Sequence, residues 1–89
     1  MCKIGLRVDV FDGSGKTHLG KGTIIGFVDV YIVRHENGIY SAYDAETKPN
    51  GFPEESVTKV SSNPKIKLDS GKMVYGCQTW WEPIQDNNN

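Results

Sequence analysis

The sequence predicts a small all-β domain, a strongly bent antiparallel barrel of five strands with at most one short helical turn. The chain has 89 residues, which allows one domain with a thin core. Its apolar residues fall in alternating or β-branched runs, the pattern of strands. Ten glycines and four prolines supply the turn signals between these runs. We therefore expect a single domain over residues 1–84, followed by a frayed polar tail at 85–89.

The first two strands are predicted from two apolar runs. Residues 4–11 alternate between apolar and polar side chains, as a half-buried strand does. A glycine-rich turn at 12–16 follows, and a polar loop runs on to about Gly22. Residues 23–34 form the longest β-branched and aromatic run. Gly26 in this run predicts a bend or bulge that lets one long strand serve two sheets.

The third strand is predicted to return from a hairpin at residues 37–38. Asn-Gly at these positions is typical of a two-residue type I′ turn. In the resulting register His35 faces Tyr40, and Ile32 faces Tyr43.

The segment 44–56 is predicted to be an acidic loop. Phe52 is its expected anchor on the core. Residues 53–57 are expected to make one helical or 3-10 turn, because proline suits the first helical position and acidic residues suit the first turn.

A second two-residue turn at residues 70–71 predicts the last hairpin, between 65–69 and 72–82. This register pairs Leu68 with Met73. It places on the core face Ile66, Leu68, Met73, Tyr75, Cys77, Thr79 and Trp81, and on the outer face Lys65, Lys67, Val74, Gln78 and Trp80. A bulge at Gly76 is the alternative, and it would exchange the two tryptophans.

The opening of the chain resembles that of SH3-like small β-barrels, most closely the ribosome- and transcription-associated KOW type. The resemblance covers about residues 4–26. Its residues are Ile4-Gly5, Val8, Val10 and the segment 20–26, Gly-Lys-Gly-Thr-Ile-Ile-Gly. It implies an SH3-like barrel, and it favours nucleic-acid or nucleotide binding as an alternative function.

Charge is unevenly distributed along the chain. The formal net charge is −1, which argues against a strongly basic nucleic-acid binder. Residues 1–34 carry a net +2, residues 35–58 a net −4, residues 59–75 a net +3 and residues 76–89 a net −2. A small basic face is compatible with this distribution.

The two cysteines, Cys2 and Cys77, predict free thiols in a cytoplasmic protein. A secreted domain of this size usually needs several disulfides. A single Cys2–Cys77 disulfide between the ends is the alternative. The sequence shows no apolar leader and no apolar run of membrane-spanning length, so we expect no membrane partner.

We expect no enzyme, metal site or cofactor. The four potential zinc ligands, Cys2, Cys77, His18 and His35, are not at zinc-type spacing. No nucleophile and base are placed together by the sequence. The acidic pair at 54–55 lies in a predicted surface turn, where solvation explains it.

Residues 13–17 end like a phosphate-binding loop. The position of its leading glycine is held by Val10, however, and no helical pattern follows. A glycine-rich hairpin loop is therefore the favoured interpretation. Lys16 and Lys21 remain candidates for a weak anion contact.

Aromatic residues are the main functional lead. Trp80 is predicted to be exposed beside Lys65, Lys67 and Gln78, and Tyr31 and Tyr40 form a second aromatic group with His35. Such a face is typical of a protein-binding hot spot. We expect a non-enzymatic protein-interaction module that is able to form homo-oligomers, in the style of a bacterial or phage accessory protein (an adaptor or host-directed inhibitor).

Three alternatives stay open. The first is a nucleic-acid module that uses Trp80 and the four lysines at 16, 21, 65 and 67. In the second, a loop or the tail covers Trp80. In the third, the two tyrosines only pack across their strands.

Overall fold

The structure is a computed structural model that describes residues 3–84. The described residues form one antiparallel sheet, which is not closed, and two 3-10 turns. The strands are β1 (Arg7–Phe11), β2 (His18–Arg34), β3 (Tyr40–Tyr43), β4 (Val57–Leu68), β5 (Met73–Tyr75) and β6 (Trp80–Pro83), and the 3-10 turns are Glu54–Ser56 and Gly76–Gln78.

The all-β prediction is confirmed, but the described part of the chain has six strands instead of five. The extra strand arises because the second 3-10 turn divides the predicted last strand into β5 and β6. The first 3-10 turn lies within the predicted 53–57 turn, whereas the second was not predicted. Within residues 3–84, no helix has the length and hydropathy to cross a membrane. The predicted tail at 85–89 and Cys2 lie outside the described residues.

The long strand β2 organises the sheet. Strand order is β5-β4-β2-β1-β6, with β3 also paired to β2. One edge of β2 carries β1 near its start and β3 near its end, while β4 follows the other edge from Gly22 to Val33. We call residues 28–62 the arm and the remaining described residues the body. The molecule is correspondingly elongated, at 50 × 25 × 21 Å.

A bulge bends β2 where the sequence predicts one. The register with β4 shifts between Ile24 and Gly26, and again between Val28 and Val30. Such bulges increase the local twist and re-aim a strand. They let β2 leave the body and continue as the central strand of the arm.

The predicted register of the β2–β3 hairpin is wrong by one residue. Tyr40 pairs with Arg34 instead of His35. The His35 N–H donates to the Ile39 carbonyl at 2.8 Å, so the loop holds three residues. Its last residue, Gly38, has φ +83, and a left-handed residue in this place closes a three-residue loop through a bulge.

The predicted register of the β4–β5 hairpin is wrong in the same way. Met73 pairs with Lys67 instead of Leu68, and the three-residue loop ends in Gly71 with φ +98. Met73 and Val74 therefore exchange sides: Val74 is buried and Met73 is 42% exposed. Tyr75, also predicted for the core, is buried as predicted. Cys77, predicted for the core as well, is instead exposed, because it lies in the second 3-10 turn.

The core of the body is built from side chains of β1, β2, β4 and β5. Its buried members are Val8, Val10, Ile24, Ile66, Leu68 and Val74, with Leu6 and Trp81 packed against them. A Cβ on Gly76 would lie 2.9 Å from both Pro64 Cδ and Trp81 Nε1. Only glycine lets the indole of Trp81 approach the backbone this closely.

The arm has an apolar centre of its own. Val30 and Val33 are fully buried there. Phe52 lies over the arm, with ring centroids 5.8 Å from His35 and 6.1 Å from Tyr43. Phe52 therefore attaches the acidic loop, as predicted, but to the arm and not to the core of the body.

Candidate functional site

Trp80 begins β6, the last strand in the sheet order. Its backbone pairs with Phe11 of β1, and the residue is 63% exposed. The neighbouring Trp81 is half-buried against the core. The structure thus places Trp80 outside and Trp81 inside, as predicted, although the hairpin register used to derive this was wrong.

Two further aromatic residues continue from Trp80 across the sheet. Phe11 pairs with Trp80 on one side and with His18 on the other, and directly paired residues share a face. The Phe11 and His18 rings are 5.1 Å apart, and His18 Nε2 lies 3.1 Å from Asp9 Oδ1. We call Trp80, Phe11 and His18 the aromatic row. The alternation of β1 already placed Phe11 on the outer face, although it was not recognised as a site residue.

The loop at 12–17 supports the aromatic row. A Cβ on Gly15 would lie 3.8 Å from Trp80 Cγ, so the loop backbone passes beside the indole. Asp12 holds the loop: its Oδ1 accepts hydrogen bonds from the Ser14 and Lys16 N–H groups, at 3.1 and 3.2 Å, and from the Ser14 hydroxyl at 2.6 Å. These bonds, the Ser14 side chain first, lower the pKa of Asp12.

The same bonds explain the likeness of this loop to a phosphate-binding loop. A bound phosphate would need hydrogen bonds from backbone N–H groups of this loop. The N–H groups of Ser14 and Lys16 already donate to the Asp12 carboxylate. Only the exposed side chains of Lys16 and Lys21 remain for the predicted anion contact.

Two of the predicted site lysines, Lys65 and Lys67, lie on β4 but differ in exposure. Lys67 pairs with Thr23, which pairs with Arg7, so it shares the outer face with the aromatic row. Strand spacing and rise place it roughly 20 Å from Trp80. Lys65 does not lie on this face as a free cation. Its Nζ is 2.7 Å from Asp44 Oδ2, and its side chain is only 19% exposed.

The remaining predicted site residues are brought together only in part. Tyr40 and Gln78 line one hollow of about 370 Å³, together with Cys77. Tyr31 lies on the arm under Lys48, whose Nζ is 5.7 Å from the ring centroid. The predicted aromatic and lysine face is therefore not one continuous patch.

A buried polar cluster around Asp44 was missed by the sequence analysis. Asp44 is 3% exposed. Its Oδ2 accepts hydrogen bonds from Lys65 Nζ at 2.7 Å and from the Tyr75 hydroxyl at 3.0 Å. Its Oδ1 accepts from the N–H groups of Glu46 and Thr47, at 2.9 and 3.1 Å. The pKa of Asp44 is lowered to about 2, first by the hydrogen bond from Lys65.

This Asp44 cluster is structural in character. Both oxygens of the buried Asp44 carboxylate accept two or more hydrogen bonds, so no lone pair is free for a substrate. The ion pair raises the pKa of Lys65, and burial raises that of Tyr75. The cluster fastens the end of β3 to β4 and β5, where the arm meets the body.

Potential nucleophiles and metal ligands are scattered over the part of the chain that the structure describes. No three His, Cys, Asp or Glu side chains within residues 3–84 are grouped closely enough to hold a metal ion. Desolvation raises the pKa of the Cys77 thiol, which disfavours its nucleophilic thiolate form.

The comparisons with known proteins give no match: no family model, no curated protein and no solved structure is similar to this chain. The functional conclusion therefore depends on the geometry of the aromatic row.

Proposed function

We propose that the protein is a non-enzymatic interaction module that binds a protein partner at the aromatic row, with Trp80 as its central contact. The observation that carries the proposal is the 63% exposure of Trp80, which lies on a strand paired with β1. Exposed tryptophans are enriched among binding hot spots. A tryptophan side chain has only two rotatable bonds, so its large contact area is bound at a low cost in conformational entropy.

The backbone of β6 indicates the form of the partner. Ile84 N–H donates to the Arg7 carbonyl at 3.0 Å. By antiparallel alternation, the N–H and C=O of Trp81 then point away from β1, toward the open edge. Pro83 has no N–H to offer. This short edge suits a short extended segment that adds beside β6 and places an apolar side chain against Trp80.

An SH3-like barrel type of fold belongs to the same proposal. Its support is the strand arrangement, in which the last strand returns to pair with the first and a long bulged β2 is shared by both parts of the molecule. The cytoplasmic location and the bacterial or phage accessory role remain predictions from the sequence.

Nucleic-acid binding is the second candidate. Lys16 and Lys21 lie near the aromatic row, and aromatic rings stack on bases without sequence preference. The residues next to the aromatic row on the same face, however, are Glu82, Asp9 and Lys21, and these three residues together carry a net negative charge. Phosphate binding needs a net cationic surface, and a protein partner is therefore favoured.

Selection of short random peptides on the immobilised protein tests the proposal. A selected peptide is then titrated against the wild type, Trp80→Ala and Ile39→Ala. Ile39 is the matched control because it is also exposed, at 60%, but lies on the arm. Trp80→Ala should weaken binding about 30-fold, the equivalent of a 2 kcal/mol hot spot. Ile39→Ala should leave it nearly unchanged.

A mixed-sequence single-stranded oligonucleotide is titrated in parallel at low and high salt. Oligonucleotide binding that is tighter than that of every selected peptide, and that falls steeply with salt, would support the second candidate. Equal peptide binding by Trp80→Ala and the wild type, with both folded, contradicts the proposal.

A further inference from the structure

Two asparagine–glycine pairs lie in exposed loops of the arm. They are Asn37-Gly38, in the loop between β2 and β3, and Asn50-Gly51, in the acidic loop after β3. All four residues are exposed. Apart from its chain neighbours, nothing lies within 4 Å of the Cβ position of either glycine. The two pairs are therefore alike in sequence and in accessibility, and they differ in their hydrogen bonds.

Asparagine is a chemically labile residue, and most so before glycine. The glycine backbone nitrogen, after it gives up its proton, attacks Cγ of the asparagine side chain. A bond forms between this nitrogen and Cγ, the side-chain amide leaves as ammonia, and a five-membered succinimide remains. Water then opens the ring at either carbonyl and leaves aspartate or isoaspartate. Glycine favours the ring closure because it has no Cβ to obstruct it.

Hydrogen bonds oppose this reaction in the first pair. The Gly38 N–H donates to the His35 carbonyl oxygen at 2.9 Å, and the Asn37 side-chain oxygen accepts the Ile39 N–H at 3.0 Å. The loop that holds both groups is closed by the paired strands β2 and β3. Since the ring forms only when the side chain turns Cγ onto the Gly38 nitrogen, these bonds must break first.

The second pair has no such restraint. Within residues 3–84, no hydrogen bond involves the Gly51 N–H or the Asn50 side chain. The pair lies between the turn at 45–47 and the 3-10 turn Glu54–Ser56, outside every strand. We propose that Asn50 is a site of spontaneous deamidation, through a succinimide formed with Gly51, and that the hairpin loop protects Asn37 from the same reaction.

The modification changes the acidic loop of the arm. Each deamidation adds one negative charge to residues 35–58, which already carry a net −4. Isoaspartate also adds one carbon to the main chain shortly before Phe52, whose ring lies against His35 and Tyr43. The aromatic row lies in the body, so peptide binding there should not depend on this modification.

Peptide mapping by mass spectrometry tests the proposal. Cleavage after glutamate separates the two asparagines, with Asn37 in peptide 37–46 and Asn50 in peptide 47–54. The folded protein is incubated at pH 8, and the fraction of each peptide in which NH2 has been replaced by OH is followed with time. Asn50 should deamidate about tenfold to thirtyfold faster than Asn37, which is the rate difference that two hydrogen bonds of ordinary net strength produce.

The same incubation in guanidinium chloride is the control, because unfolding breaks the hydrogen bonds of the Asn37 loop. There the two asparagines should react at similar rates. Asn50→Gln should remove the modification from peptide 47–54 and leave the melting temperature and the reaction of peptide 37–46 unchanged. Equal rates in the folded protein, a faster reaction at Asn37, a rate difference that persists in denaturant, or an Asn50 that reacts only in denaturant overturns the proposal.

Discussion

Replacing Asp44 by asparagine removes the charge at the centre of the buried cluster. The carboxylate has a pKa of about 2 in the folded protein, against 3.8 for a free aspartate. Since one pKa unit corresponds to 1.36 kcal/mol, the ionised form contributes about 2 kcal/mol to stability at neutral pH. Because the folded pKa is lowered, this contribution is present above pH 3.8 and is lost as the pH falls through 2.

Urea unfolding at pH 7 and pH 3 measures this contribution. Asp44→Asn should lower the free energy of unfolding at pH 7 by about 2–3 kcal/mol, because it also leaves the partly buried Lys65 ammonium without its counter-charge. At pH 3 the wild type should already have lost about 1 kcal/mol of the Asp44 contribution, so the difference between the two proteins narrows. Adding Lys65→Met to Asp44→Asn should recover part of the loss, since it removes the unpaired charge.

Asp12 and Asp69 also have a lowered pKa, so they too contribute to the acid dependence of stability. They are present in both proteins, so their acid dependence cancels in the difference. Equal stability of Asp44→Asn and the wild type at pH 7, or a difference that does not change between pH 7 and pH 3, would refute the assigned role of the ion pair.

Three further predictions concern the body. Gly22→Ala should destabilise by about 1–3 kcal/mol in urea unfolding, because its Cβ would lie 2.8 Å from a carbonyl oxygen of β4. Gly26→Ala, the control on the same strand, meets no atom within 4 Å and should be nearly neutral. Equal losses of stability in the two variants would contradict the pairing of β2 with β4. Trp81→Ala should lower the free energy of unfolding by about 3 kcal/mol, and Trp80→Ala by less than about 0.5 kcal/mol. If thermal melts show Trp80→Ala to be the less stable variant, the two tryptophans have been assigned to the wrong faces. Cys77→Ser should change stability by less than about 0.5 kcal/mol, since the residue is exposed; a larger loss would place its sulfur in the core.

The central parts of the strands were predictable from local patterns, but their full lengths and the hairpin registers were not. Strand β2 begins at His18, where a loop was predicted to run to about Gly22, and β4 begins at Val57 instead of residue 65. A glycine preceded by a polar residue fits a two-residue type I′ turn, and it also fits the last position of a three-residue loop with a bulge. Both hairpins adopt the second form, with Gly38 and Gly71 at positive φ. A register error of one residue exchanges the faces of a whole strand, which is why Met73 and Val74 were placed on the wrong sides.

Trp80 and Trp81 were nevertheless placed correctly, because two errors cancelled. From the true position of Val74, strict alternation would bury Trp80. The 3-10 turn at Gly76–Gln78 interrupts the alternation and buries Trp81 instead. The close approach of Trp81 to Gly76 is a three-dimensional fact that no local pattern contains.

Interactions between distant segments account for the rest of what the sequence did not predict. Lys65 was assigned to the outer face by alternation, but its partner Asp44 is 21 residues away in the chain. Pro64 lies within β4, beyond the last residue that pairs with β5. Proline is tolerated there because the β4–β5 ladder has ended, and its ring packs against Gly76 of the second 3-10 turn.

The indole N–H resonances of the two tryptophans provide the most direct test of the central claim, that Trp80 binds the partner and Trp81 supports the fold. The measurement is a titration of the labelled protein with a selected peptide. The Trp80 resonance should shift in proportion to the bound fraction, while that of Trp81 stays in place. A bound peptide that shifts Trp81 and leaves Trp80 unchanged, or that shifts neither, would contradict the assignment of the aromatic row as the binding surface.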